Sequence, residues 1–112
     1  MRDDLVFVRH ILDEVNYLLQ ATEKISYEQL LEDETLKRAC IRSLEIIGEA
    51  AKNISSGFKE EHPLVEWREM AGLRDKLIHF YFGVDWEIVW DVVRNKIPAL
   101  EKRLKGLLTE QS

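Results

Sequence analysis

Glu34-Thr35-Leu36-Lys37-Arg38-Ala39-Cys40-Ile41-Arg42-Ser43-Leu44-Glu45-Ile46-Ile47-Gly48-Glu49-Ala50-Ala51-Lys52-Asn53-Ile54 is the most regular stretch of the chain, and its period decides the fold class. Leu36, Cys40, Ser43, Leu44, Ile47, Ala50, Ala51 and Ile54 recur at three- and four-residue steps, widened by Ala39 and Ile46, so one helical face is apolar. Arg38, Arg42, Glu45, Glu49 and Lys52 line the other side as a mixed-charge stripe. This is the expected central helix. Gly48 inside it costs about 1 kcal/mol relative to Ala, which implies a close backbone approach at that point. Glu45 and Glu49, four apart, could bind a metal, but no Glu-x-x-His partner exists on another helix, so a salt-bridged surface is the favoured reading. Cys40 lies in the apolar stripe and reads as buried and inert.

Working outward, Leu5, Val8, Ile11, Leu12, Val15, Leu18 and Leu19 predict a helix from Asp3 to about Thr22, capped by Asp3 or Asp4. Ser26-Tyr27-Glu28-Gln29 has capping-box spacing and opens a short helical turn, after which Asp33 is the N-cap of the central helix. Downstream, Ser55-Ser56-Gly57 breaks the helix and Lys59-Glu60-Glu61 reads as solvated. His62-Pro63 reads as N-cap and N1 of a short helix through Trp67 and Met70, ended by Gly72. Between Gly72 and Gly83 a helix of about two and a half turns is predicted over Arg74–Tyr81. Asp85 then caps a helix whose apolar face is Trp86, Val89, Trp90 and Val93. Pro98 either kinks that helix or starts another carrying Leu100, Leu104, Leu107 and Leu108. No segment alternates with period two. The expected fold is all-α, an antiparallel bundle of four main helices with short additional helices, forming one domain over residues 1–112.

The whole-chain properties narrow the function. With 112 residues the chain is the size of one domain, and 16 basic against 21 acidic residues give a net charge of −5. That balance disfavours broad capture of duplex nucleic acid and leaves only local basic contacts. One cysteine excludes an intrachain disulfide and a cysteine-rich zinc site. No signal peptide and no membrane-length apolar run is present, so a soluble cytoplasmic protein is expected. Ile41 and three Trp look generous for a monomer of this size, which predicts a homodimer. Trp86, Trp90 and Trp67 read as core or dimer interface rather than a base-stacking platform, His10 as an exposed helix residue and His62 as a cap.

Arg74-Asp75-Lys76-Leu77-Ile78-His79-Phe80-Tyr81 is the densest collection of groups able to do chemistry. On a helix, Asp75 and His79 share a face, so the carboxylate can orient the imidazole. Arg74 and Tyr81 share another, and Arg74 lies roughly 140° from His79. The two converge only if side chains bend, the helix is irregular, or a second subunit completes the site. The same residues also read as a helix with solvated Arg, Asp and Lys and with a satisfied His and Tyr at the core edge.

Arg74-x4-His79-x-Tyr81 resembles the R-x4-H-x-Y signature of HepT-like toxins in the all-helical HEPN superfamily. Arg42 through Ala50 is similar to that family's central-helix block, and Pro63–Trp67 with Asp85–Trp90 to its tail pattern, so the resemblance spans most of the chain. It implies a metal-independent endoribonuclease toxin of a toxin–antitoxin pair, dimeric, with two motifs facing one RNA cleft and no cofactor. Arg74 would hold the scissile phosphate and His79 would act as general base or acid, with Asp75 and Lys76 in orienting or auxiliary roles. Asp75 stands where many relatives carry Asn. The resemblance further implies a minimal nucleotidyltransferase antitoxin that transfers AMP to Tyr81. The alternative is a non-catalytic RNA- or nucleotide-binding partner of such a nucleotidyltransferase.

Overall fold

The computed structural model describes residues 2–79 and 83–111, and the chain is all-α apart from one minimal strand pair. Helix α1 spans Arg2–Thr22, α2 Tyr27–Glu32 and α3 Glu34–Lys52. Short helices α4 (Ser56–Glu61), α5 (Trp67–Ala71) and α6 (Leu73–Leu77) follow. Strands β1 (Ile78–His79) and β2 (Gly83–Val84) pair antiparallel. The last helical run comprises α7 (Trp86–Asp91), a π-helical turn over Val92–Lys96, and α8 (Ile97–Gln111). The four main helical segments are α1, α3, α7 with its π turn, and α8. Among the described residues no helix is long and apolar enough to cross a membrane.

The apolar stripes meet as their spacing predicts. From α1, Val8, Ile11, Val15 and Leu18 are fully buried, and from α3 so are Cys40, Ile47 and Ala51. Val89, Val93, Ile97 and Leu104 close the core from the C-terminal run. Burying a side chain such as Leu or Ile contributes about 1.5–3 kcal/mol, so these faces, more than helix propensity, hold the bundle together. The capping box at Ser26 and Gln29 forms, and the Asp33 carboxylate accepts from Leu36 N at 2.9 Å to start α3. Of the two expectations for Pro98 the second holds: it is the second residue of α8, the helix that carries Leu100, Leu104, Leu107 and Leu108. The chain widens one turn ahead of it, with Ile97 N–H donating five residues back to Val92 O. That π turn makes room for a ring that lacks an N–H and crowds the carbonyl four residues earlier, on Arg94.

Three local expectations are corrected. α3 does end ahead of Ser55, and Glu60 and Glu61 are exposed, but the stretch is helical: it forms α4, because the Ser55 hydroxyl accepts from Phe58 N at 3.2 Å and starts a turn with Phe58 buried beneath it. His62 therefore ends α4 rather than starting the next helix, held by Phe58 (ring centroids 4.6 Å apart) and by its carbonyl accepting the Trp67 indole N–H at 3.0 Å. Asp4 does not cap α1 either. It is buried, and its carboxylate accepts from Ser55 N and Ser55 Oγ, both at 2.8 Å, clasping the start of α1 to the α3–α4 junction.

Gly48 makes the close approach its place in the stripe implied. A Cβ there would lie 3.0 Å from Met70 O, so α3 runs with its backbone against the end of α5. This contact sets the position of α6.

Candidate functional site

α6 hangs on two buried residues one turn apart, Leu73 and Leu77, with Arg74, Asp75 and Lys76 all exposed between them. The predicted helix over Arg74–Tyr81 does not form. It stops at Leu77, and Ile78 and His79 pair with Val84 and Gly83 instead. Ile78 and the following run of aromatics favour extended backbone, and five residues is too short a helix to resist that preference. Gly83 has the only positive φ in the described chain, 78°. It closes the strand pair rather than ending a helix. Asp85 N donates to Leu77 O at 2.8 Å, and its carboxylate accepts from Ile88 N at 3.3 Å, so one residue both ties off the strand pair and starts α7.

No continuous helix therefore carries Asp75 and His79 on one face, and the expected pairing of Arg74 with Tyr81 falls outside the described residues. His79 enters the site on a strand, two residues beyond the helix that carries Arg74. Its side chain and the whole of Tyr81, the expected AMP acceptor, lie outside the described residues.

Arg74 opens onto a cleft of about 470 Å³ between α1, α3 and the α5–α6 junction, lined among others by Phe7, His10, Arg42, Glu49 and Lys52. Its Nε lies 3.4 Å from Glu45 Oε2, with side chains 65% and 31% exposed respectively. Glu45 thus spans to another helix. His10 is an exposed helix residue, as expected, and it sits on the cleft wall with its ring edge-on to Phe7 at 6.4 Å. Sequence reading missed the cleft because its walls come from three separate elements. Two signals pointed to it, the mixed-charge stripe on α3 and the conformational cost of Gly48. Three cations, Arg42, Lys52 and Arg74, against the two carboxylates Glu45 and Glu49 leave the cleft lining with one excess positive charge on an acidic protein.

Several aromatic side chains outside the cleft are held by the fold. Trp67 is buried. Lys37 lies over Trp86 at 5.1 Å and Arg94 over Trp90 at 4.3 Å, and Arg94 also donates to Ile25 O, so these rings are already covered by cations of the fold. Tyr27 packs on Trp90 at 5.9 Å, and burial, then Glu87, Asp85 and Glu28, push its phenol above the ordinary value. Ile41, Trp86 and Trp90 are partly buried against the core, while Leu64, Val6, Tyr17 and Leu31 are exposed. Cys40 is fully buried, and burial, with Asp33 second, pushes its thiol up to about 11. Among the described residues no three His, Cys, Asp or Glu are grouped to hold a metal ion.

The model of the family described as ribonuclease HepT-like matches residues 11–107. A protein of Caldanaerobacter subterraneus subsp. tengcongensis described as a candidate RNase is 46% identical over 111 residues, covering 99% of both chains. A candidate RNase of Methanocaldococcus jannaschii is 40% identical, covering 97% of this chain and 90% of its own. A protein of Thermococcus cleftensis described as a candidate ribonuclease HepT is 45% identical, covering 90% and 92%. No solved structure matches the chain.

Proposed function

Because the chain belongs to the ribonuclease HepT-like family, we propose that it is a cytoplasmic, metal-independent endoribonuclease toxin, restrained by a nucleotidyltransferase antitoxin. The observation that carries this reading is the placement of Arg74: an exposed guanidinium at the mouth of a cation-bearing cleft, five residues before His79 in a strand-paired segment. An arginine fork suits two phosphoryl oxygens and neutralises charge that builds up on phosphorus in the transition state. His79 takes the proton of a ribose 2′-hydroxyl; the 2′-oxygen bonds to phosphorus and the 5′-oxygen leaves, taking a proton in turn. The products are a 2′,3′-cyclic phosphate and a 5′-hydroxyl end.

One motif supplies one imidazole, and α6 turns Arg74, Asp75 and Lys76 all outward. Outward-facing motif residues suit a homodimer in which two motifs share an RNA cleft and the second His79 protonates the leaving oxygen. Asp75 and Lys76 flank Arg74 as auxiliary charges. Transfer of AMP to Tyr81, seven residues after Arg74 in the motif, would add a phosphate and a nucleoside that compete with RNA for the guanidinium, which would neutralise the toxin.

The test is cleavage of single-stranded RNA by the purified protein in EDTA. Arg74→Ala and His79→Ala should each abolish it, and a rate unchanged by His79→Ala overturns the assignment. Incubation with the nucleotidyltransferase and ATP should add the mass of one AMP to the wild type and none to Tyr81→Phe. The second reading, a non-catalytic RNA- or nucleotide-binding partner, draws on the exposed Asp75 beside Arg74 and the net charge of −5. Toxicity on expression that disappears with Arg74→Ala counts against it.

A further inference from the structure

We propose that Glu45 is the positioning residue for Arg74, holding the guanidinium by its Nε side so that the two terminal amino groups are presented to the scissile phosphate. The proposal rests on the ribonuclease reading above and adds a residue to it. Its geometric basis is the contact at Gly48, whose missing side chain lets α3 lie against Met70 O, with only 3.0 Å for a Cβ. Glu45 is one turn before Gly48 on α3, and Arg74 lies four residues beyond Met70, past the α5–α6 junction. The same close approach therefore brings carboxylate and guanidinium together at 3.4 Å.

The pair is specific. Arg42 lies three residues before Glu45 on the same helix and lines the same cleft, yet among the described residues the Glu45 carboxylate pairs with Arg74. With the side chains 65% and 31% exposed, the pair adds little stability, because water screens it. What it does is restrict an otherwise freely rotating side chain. Contact on Nε leaves Nη1 and Nη2 as the parallel donors that match two phosphoryl oxygens. The carboxylate at the same time opposes the substrate's own negative charge. Removing the charge should thus ease RNA binding while loosening the group that must be in register in the transition state, separating KM from kcat.

The experiment compares Glu45→Gln with the wild type by RNA cleavage kinetics, and by NMR relaxation of the Arg74 Nε–H. Glu101→Gln, which removes a carboxylate on α8 that is paired with Lys105 and does not line the cleft, is the control for net charge. Glu45→Gln should lower kcat about ten-fold or more, the scale of a modest misplacement of a catalytic group. KM should be unchanged or lower, the Arg74 Nε–H should become more mobile, and Glu101→Gln should change none of these. A kcat at or above the wild-type value, or unchanged Nε–H mobility, overturns the proposal. If wild-type cleavage does not depend on Arg74, the ribonuclease reading itself has failed, and the Nε–H mobility alone decides whether Glu45 positions Arg74.

Discussion

Replacing Gly48 by Ala sets two opposed effects of known size against each other. In a helix interior the change gains about 1 kcal/mol from reduced freedom of the unfolded chain. At Gly48 the new Cβ would sit 3.0 Å from Met70 O. That oxygen belongs to the backbone of α5, not to a flexible side chain, so it cannot turn away cheaply. Overpacking of this kind costs about 1–3 kcal/mol, so the net expectation is destabilisation of about 1 kcal/mol, up to about 2. Gly106, on α8 with nothing within 4 Å of an added methyl, is the internal control. Gly106→Ala should stabilise by about 1 kcal/mol, and the difference between the two variants isolates the packing cost. Urea unfolding at one protein concentration reads both, as opposite shifts in midpoint at constant slope. Gly48→Ala should also slow RNA cleavage, because pushing α5 away separates Arg74 from Glu45. Stabilisation of Gly48→Ala equal to that of Gly106→Ala would refute the close approach as the reason for glycine.

Asp4→Ala should cost about 2–3 kcal/mol in the same assay, the scale for losing hydrogen bonds to a buried charged acceptor; a loss below about 0.5 kcal/mol would remove the clasp to Ser55. Cys40 should resist thiol reagents in the native state and react on unfolding. Because its thiol is raised from 9.0 to about 11 by burial, the unfolded chain loses that proton first. Its contribution to stability therefore falls from about pH 9 and levels off above 11, by up to about 3 kcal/mol. The stability difference between wild type and Cys40→Ala should show that fall, and a difference flat with pH would contradict it. Asp75→Asn should raise cleavage up to about five-fold, since it removes a charge worth about 1 kcal/mol against a nearby phosphate in water; a slower variant would make the Asp75 carboxylate useful rather than obstructive.

Much of this protein was legible along the chain because the relevant physics is local. Stripe periods on α1 and α3, the Ser26 box, and the Asp33 and Asp85 caps depend on residues within a turn or two, and all of them form. The chemical inventory at Arg74–Tyr81 was equally readable, as was the cost of Gly48. Geometry within that inventory was not. Whether Ile78 and His79 continue a helix or join a strand depends on pairing with Gly83 and Val84, a contact whose reward appears only once both segments meet. Asp4 looked like a cap until Ser55, 51 residues away, offered it two donors. Arg74 is the sharpest case. Its presence in the motif is a fact of sequence, but its partner Glu45 belongs to another helix, and only the α3–α5 approach at Gly48 puts carboxylate and guanidinium within reach.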